Sequence, residues 1–161
     1  MCVCYDKGDS IEESYTKANN LYKEAFAAFS KMAEADDAKA QYYLGECHYN
    51  GRGTEKNEKL AYVAYKKSTG QGYARAKFNL GICYAHGEGV EQSYTEAMKW
   101  YRLAAEQGEA SALWSLGWCY EKGLGVTSSR SEAIKWYKKA VKQGLEIAKF
   151  NLHKLGVYDN D

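Results

Sequence analysis

The feature that most restricts what this chain can become is a repeat with a step of 36 residues. Cys47, Cys83 and Cys119 keep that step, as do Leu44, Leu80 and Leu116, and Gly45, Gly81 and Gly117. The loop pairs Gly51/Gly53, Gly87/Gly89 and Gly123/Gly125 obey it too, followed by Ala61, Ala97 and Ala133 and by Tyr65, Tyr101 and Tyr137. No insertion interrupts the register. Self-similarity of this period marks a stack of identical supersecondary units, and three full units run over 38–73, 74–109 and 110–145.

Each unit reads as helix, glycine loop, helix. In the third, Ala112, Leu116, Cys119 and Tyr120 fall on one helical stripe, and Gly123-Leu124-Gly125 ends that helix. Glycine takes the left-handed conformation of a C-terminal cap without steric cost. Ser129 with Glu132, and Ser93 with Glu96, form capping-box patterns before the second helices. Ala133, Trp136, Tyr137 and Ala140 give the second helix its apolar stripe, and small residues such as Gly117 and Ala133 let the pair approach closely. One such unit cannot bury its own apolar face, so the units must stack. The predicted fold is therefore all-α, a right-handed α/α superhelical solenoid. Residues 15–35 match only a second helix and 146–156 only a first, which makes them caps; 1–14 read as a flexible leader and 157–161 as a tail.

Composition narrows the function. The chain has 161 residues, with 22 Lys and Arg against 21 Asp and Glu. A net charge of +1 argues against a general electrostatic grip on nucleic acid or an anionic membrane. No apolar run approaches the ~20 residues that cross a bilayer, and no signal-peptide pattern opens the chain, so a cytoplasmic location is expected. A chain trimmed of a signal would look the same and would be periplasmic or secreted. Five cysteines, Cys2 and Cys4 among them, are an odd number, and three of them are spread evenly. That is a pattern of free thiols, not of a disulfide framework. Cys2 and Cys4 suit either a thiol pair or a lipidated terminus, but a disordered leader explains them without either.

The unit Ala110-x-Ala112-x-x-x-Leu116-Gly117-x-x-Tyr120-x-x-Gly123-x-Gly125-Val126, followed by Ala133-x-x-Trp136-Tyr137-x-x-Ala140, closely resembles the Sel-one-like repeat, a relative of the tetratricopeptide repeat. The resemblance covers residues 15–156. It implies a superhelical scaffold that binds other proteins, usually through a concave face lined by first helices. A cysteine-rich branch of that family pins its repeats with disulfides and is associated with β-lactam binding. The positions that would carry those cysteines hold Ala105 and Leu113 here, so that activity does not transfer. The first unit departs from the others in having His48 where Tyr84 and Tyr120 stand, and Leu60 in place of the capping glutamate.

Few residues in the sequence carry the pattern of a chemical site. His48, His86 and His153 fall in different units, and Cys83-x-x-His86 has no equivalent pair beside it, so no metal site is expected. The Gly-x-Gly loops lack the strand of a dinucleotide fingerprint and the Gly-Lys-Ser/Thr of a P-loop, so no cofactor is expected either. Lys66-Lys67 and Lys138-Lys139, balanced by Glu58, Glu96 and Glu132, read as solvated helix faces. The aromatic column Tyr42, Phe78, Trp114 and Phe150 fits core packing first. Glu46, Ile82 and Trp118 vary where the repeat is otherwise strict, as do Tyr49, Ala85 and Glu121 one turn on. Variation of that kind is expected on a face adapted to a ligand.

The leading expectation is a non-enzymatic interaction scaffold or adaptor that takes a peptide or helix of another protein into its concave groove. Trp118, Trp114, Phe78 and Ile82 would supply apolar contact, with Tyr42, Glu46, Tyr49, Arg75 and Glu121 orienting the segment. A toxin or effector neutralised by an immunity-type binder would fit, as would a signalling or secretion complex. One alternative is a hydrolase of β-lactam or cell-wall type, which finds no serine, histidine and carboxylate gathered in one unit. The other is a purely structural, self-associating spacer, so the chain is expected to be a monomer or weak homodimer.

Overall fold

The computed structural model describes residues 5–158, and side chains from residue 14. Eight helices follow one another and no strand occurs among the described residues: α1 (Tyr5–Glu34), α2 (Ala38–Asn50), α3 (Glu58–Gly70), α4 (Ala74–His86), α5 (Tyr94–Ala105), α6 (Ala110–Lys122), α7 (Arg130–Lys142) and α8 (Ile147–Lys154). The pairs α2/α3, α4/α5 and α6/α7 are the three units, and each second helix packs on the first helix of the next.

The loops close as the glycine pattern requires. Gly51, Gly87 and Gly123 are left-handed caps whose amides donate to the carbonyls of Cys47, Cys83 and Cys119. At the far side of each loop, Asn57 Oδ1, Ser93 Oγ and Ser129 Oγ accept from the amides of Leu60 (3.0 Å), Glu96 (3.3 Å) and Glu132 (3.3 Å). Asn57 thus caps α3 although the first unit lacks the capping glutamate. The second glycine of each loop has a different task. A Cβ on Gly53, Gly89 or Gly125 would collide with the backbone of Tyr22, Glu58 or Tyr94 in the preceding helix.

Within a unit, the two helices meet glycine on tyrosine. A Cβ on Gly45, Gly81 or Gly117 would stand 2.5–2.7 Å from ring carbons of Tyr65, Tyr101 or Tyr137. The side chains of Tyr65, Tyr137, Leu80, Leu116, Cys83 and Cys119 are fully buried. Each such leucine contributes about 1.5–3 kcal/mol. The leucine column weakens at its start, where Leu44 is only half-buried, and the aromatic column at its end, where Phe150 is 70% exposed.

Residues 5–14, read from the sequence as leader, have a helical backbone continuous with α1. Between 5 and 34 there is no proline and only one glycine, Gly8, so nothing stops the helix from starting early. Cys2 and Cys4 lie outside the described residues. His48 meets Phe26 of α1 edge-on, with ring centroids 5.4 Å apart. At the equivalent contact one unit on, Tyr84 and Tyr62 share a hydrogen bond (3.1 Å); in the third unit Tyr120 accepts from Arg102 (3.1 Å), one turn beyond the equivalent Met98. The His48 Nδ1 atom is buried with no partner among the described residues, and burial lowers the ring's pKa.

Candidate functional site: a groove between the second and third units

The first helices carry the variable positions, and two depressions run along them. The larger, of about 420 Å³, lies between α4 and α6. Phe78 and Ile82, one turn apart on α4, form one wall; Trp114 and Trp118, one turn apart on α6, form the other. Leu145 and Ile147, at the turn into α8, close one end, and Tyr101 and Ser115 also line it. The smaller, of about 210 Å³, lies between α2 and α4 and is lined by Tyr42, Glu46, Tyr49, Asn79 and Ile82. Ile82 is common to both, so they form one continuous face.

Seven of the nine residues expected at the site therefore come together: Trp114, Trp118, Phe78 and Ile82 in the larger depression, and Tyr42, Glu46 and Tyr49 beside Ile82 in the smaller. Two do not. Glu121 is taken up in packing, since it accepts from the Tyr137 hydroxyl (2.9 Å) and pairs with Lys122 (2.9 Å) and Lys154 (3.6 Å). Burial pushes its carboxyl up, and those hydrogen bonds and charges more than offset this, leaving it below the ordinary carboxylate range. Arg75 is exposed and lines a separate depression with Gln107 and Glu109. Its charge still reaches Tyr42, whose hydroxyl burial and Glu46 push up to about 12 against it.

The two tryptophans differ. Trp114 Nε1 donates to Asn151 Oδ1 of α8 (2.8 Å), so Trp114 is fastened to the terminal helix. Trp118 is half-buried and makes no hydrogen bond among the described residues. Trp114 packs against the terminal helix, whereas Trp118 packs against the core cluster around Met98 and Leu116.

A polar network distinguishes the two depressions. Between α2 and α4, Glu46 Oε1 accepts from the Tyr65 hydroxyl (2.5 Å) and from Asn79 Nδ2 (2.7 Å). One unit on, the same three positions hold Ile82, Tyr101 and Ser115. The acceptor has become a hydrocarbon. Tyr101 is 4% exposed and Ser115 7% exposed, and neither hydroxyl has a partner among the described residues. Position 85, which corresponds to Glu121, holds Ala85, so that substitute acceptor is missing too. Column-by-column reading of the sequence passes over Tyr101 because it repeats perfectly. The signal that finds it is the simultaneous loss of both glutamates, at positions 82 and 85, from its surroundings.

The buried thiols are held in their neutral form. Cys47, Cys83 and Cys119 are free and buried. Burial pushes Cys83 up to about 12 and Cys119 up to about 11, so the thiolate that would act as a nucleophile is scarce. Among the described residues no helix is long and apolar enough to cross a membrane.

An all-helical stack of helix–loop–helix units with an apolar groove along its first helices defines the protein as an α/α repeat solenoid. The Sel1 repeat matches at residues 1–28, 38–73, 74–109 and 110–145, and the chain belongs to the Sel1 repeat family. The three later matches coincide with the units derived above. The first takes in residues that fit no repeat by simple 36-residue register, in a segment that has no Gly-x-Gly loop and whose backbone is helical without a break from Tyr5. Among solved structures, a Sel1 repeat protein from Oxalobacter formigenes is 34% identical with a TM-score of 0.76, over 93% of this chain and 61% of that one. The uropathogenic Escherichia coli protein c5321, described as a protective antigen with an SLR fold, is also 34% identical, with a TM-score of 0.77, over 80% of this chain and 28% of its own. Helicobacter pylori cysteine-rich protein B shares the fold at 21% identity and a TM-score of 0.63. The chain thus spans under two-thirds of the length of the first two. No curated protein matches it significantly. Sel1 repeat proteins are in general scaffolds for protein–protein interaction.

Proposed function

We propose that this protein binds a segment of another protein in the groove between α4 and α6, acting as an adaptor or as a stoichiometric inhibitor and not as a catalyst. The observation that carries the reading is the groove itself. Four large apolar side chains, Phe78, Ile82, Trp114 and Trp118, line about 420 Å³ of open space on a rigid helical scaffold. Binding energy at such surfaces concentrates in a few aromatic anchors set in well-packed pockets. Trp118 is the side chain best suited to that role, since Trp114 is already committed to α8. Affinity purification from the native host, followed by quantitative binding of the captured protein, tests this. Trp118→Ala should weaken binding by about 2 kcal/mol or more with little change in melting temperature. A variant that melts early and binds as well as the parent would make Trp118 a packing residue and remove the groove from consideration.

A further inference from the structure

The groove lacks one polar group that the molecule supplies to itself elsewhere. At the junction of α2 and α4, a glutamate oxygen sits between a tyrosine hydroxyl and a short polar side chain, Glu46 between Tyr65 and Asn79. In the third unit, Tyr137 again gives its hydrogen bond to a glutamate, Glu121. In the second unit, Tyr101 faces Ile82 and Ala85 where those glutamates would stand. The Tyr101 and Ser115 side chains are each more than nine-tenths buried and line the groove; their hydroxyls make no hydrogen bond among the described residues and are not sealed from the groove. Hydroxyls that open on the groove can donate to a bound group that accepts from both.

We propose that the bound segment carries an acidic side chain, and that its carboxylate takes the place at Tyr101 and Ser115 that Glu46 takes at Tyr65 and Asn79. The ligand is then an apolar residue seated between the Trp114/Trp118 wall and the Phe78/Ile82 wall, with an aspartate or glutamate near it in the segment. The choice of a carboxylate over a neutral carbonyl follows from the protein's own usage: both acceptors that it places on this tyrosine are glutamates. Glu46 also shows that such a carboxylate is held here by two neutral donors, since no ion pair to it occurs among the described residues. The inference rests on the groove reading of the preceding subsection.

The test selects a displayed library of random peptides on the full chain and measures the selected peptides by fluorescence anisotropy. Enriched sequences should pair an apolar residue with Asp or Glu. Tyr101→Phe should weaken such a peptide about tenfold, as loss of a hydrogen bond to a charged group does, and should not affect the same peptide with its acid changed to alanine. Ile82→Glu is the second variant. It places a glutamate where Glu46 stands one unit earlier, satisfies Tyr101 from within, and should abolish binding while raising the melting temperature. Peptides that bind with equal affinity to the parent and to Tyr101→Phe, or that carry no acid, overturn this inference and leave the groove standing if Trp118→Ala still weakens them. Peptides insensitive to Trp118→Ala, or no enrichment at all, overturn the groove reading and this inference with it.

Discussion

The second unit and the third are built from the same parts and finish differently. Both lay a glycine, Gly81 or Gly117, against the ring of a buried tyrosine, Tyr101 or Tyr137, and both bury the same leucine and cysteine. In the third unit the tyrosine hydroxyl is closed by Glu121, which two lysines hold in turn. In the second it is left open to an apolar groove. Burial pushes both hydroxyls well above the ordinary phenol range, but only at Tyr137 does a carboxylate add to the effect as a hydrogen-bond partner. The difference separates what the fold needs from what it spares. The ring packs in every unit, whereas the hydroxyl's carboxylate partner is present in the first and third units and replaced by hydrocarbon in the second.

That separation can be broken at its common part first. Gly81→Val and Gly117→Val should each cost stability at the upper end of roughly 1–3 kcal/mol, because the added carbons meet ring atoms of a tyrosine that cannot move aside. Equal losses in chemical denaturation place the contrast in the polar groups alone; a mild Gly81→Val would show that the second unit is loose in its packing too. Tyr137→Phe comes next. It removes a hydrogen bond to a charged acceptor and should lower stability by roughly 1.5 kcal/mol.

The acid limb of stability sharpens the same point. The Glu121 carboxyl is held below its ordinary value of 4.5 in the folded chain, so its stabilisation is present above that pH and is lost as the pH falls through the lower, folded value. Glu121→Gln should flatten the melting temperature between neutral pH and about pH 3 relative to the parent, whose own curve steepens below pH 4.5. An unchanged acid limb would mean that Lys122 and Lys154 do not hold this carboxylate in solution. The smallest effect is expected at Tyr101→Phe, where no internal hydrogen bond is lost and stability should stay within about 0.5 kcal/mol. A loss as large as that of Tyr137→Phe would reveal an internal partner for Tyr101 and close the comparison.

Most of the architecture was legible in the sequence because a strict repeat constrains each position three times. The helix–loop–helix boundaries, the caps at Ser93 and Ser129, and the burial of the three cysteines follow from columns of like residues, whereas the cap at Asn57 stands where that column changes and does not follow from it. The first 35 residues were less legible. Without a glycine loop to mark a boundary, a helix beginning at Tyr5 looks like a leader joined to a half-unit. The variable columns located the face but could not assign its members. Glu121 and Trp118 vary equally in sequence, yet the lysines that occupy Glu121 come from Lys122 and from α8, which no column connects to it. The open hydroxyl of Tyr101 was hidden for the opposite reason: the residue is invariant, and only its neighbours change.

The second glycine of each loop has a consequence for what the protein can distinguish. At Gly53, Gly89 and Gly125 one unit rests on the next through main chain alone, with no side chain between them to be enlarged, trimmed or re-oriented. The interval from one first helix to the next is therefore nearly the same whatever residues decorate the groove, much as the divisions of a steel rule do not depend on what is engraved beside them. Evolution is free to rewrite positions 46, 82 and 118 without altering the distance between them. On the proposed reading, a partner is gauged by the spacing of its anchors as well as by their chemistry, and a single residue inserted between two anchors should throw it off the scale.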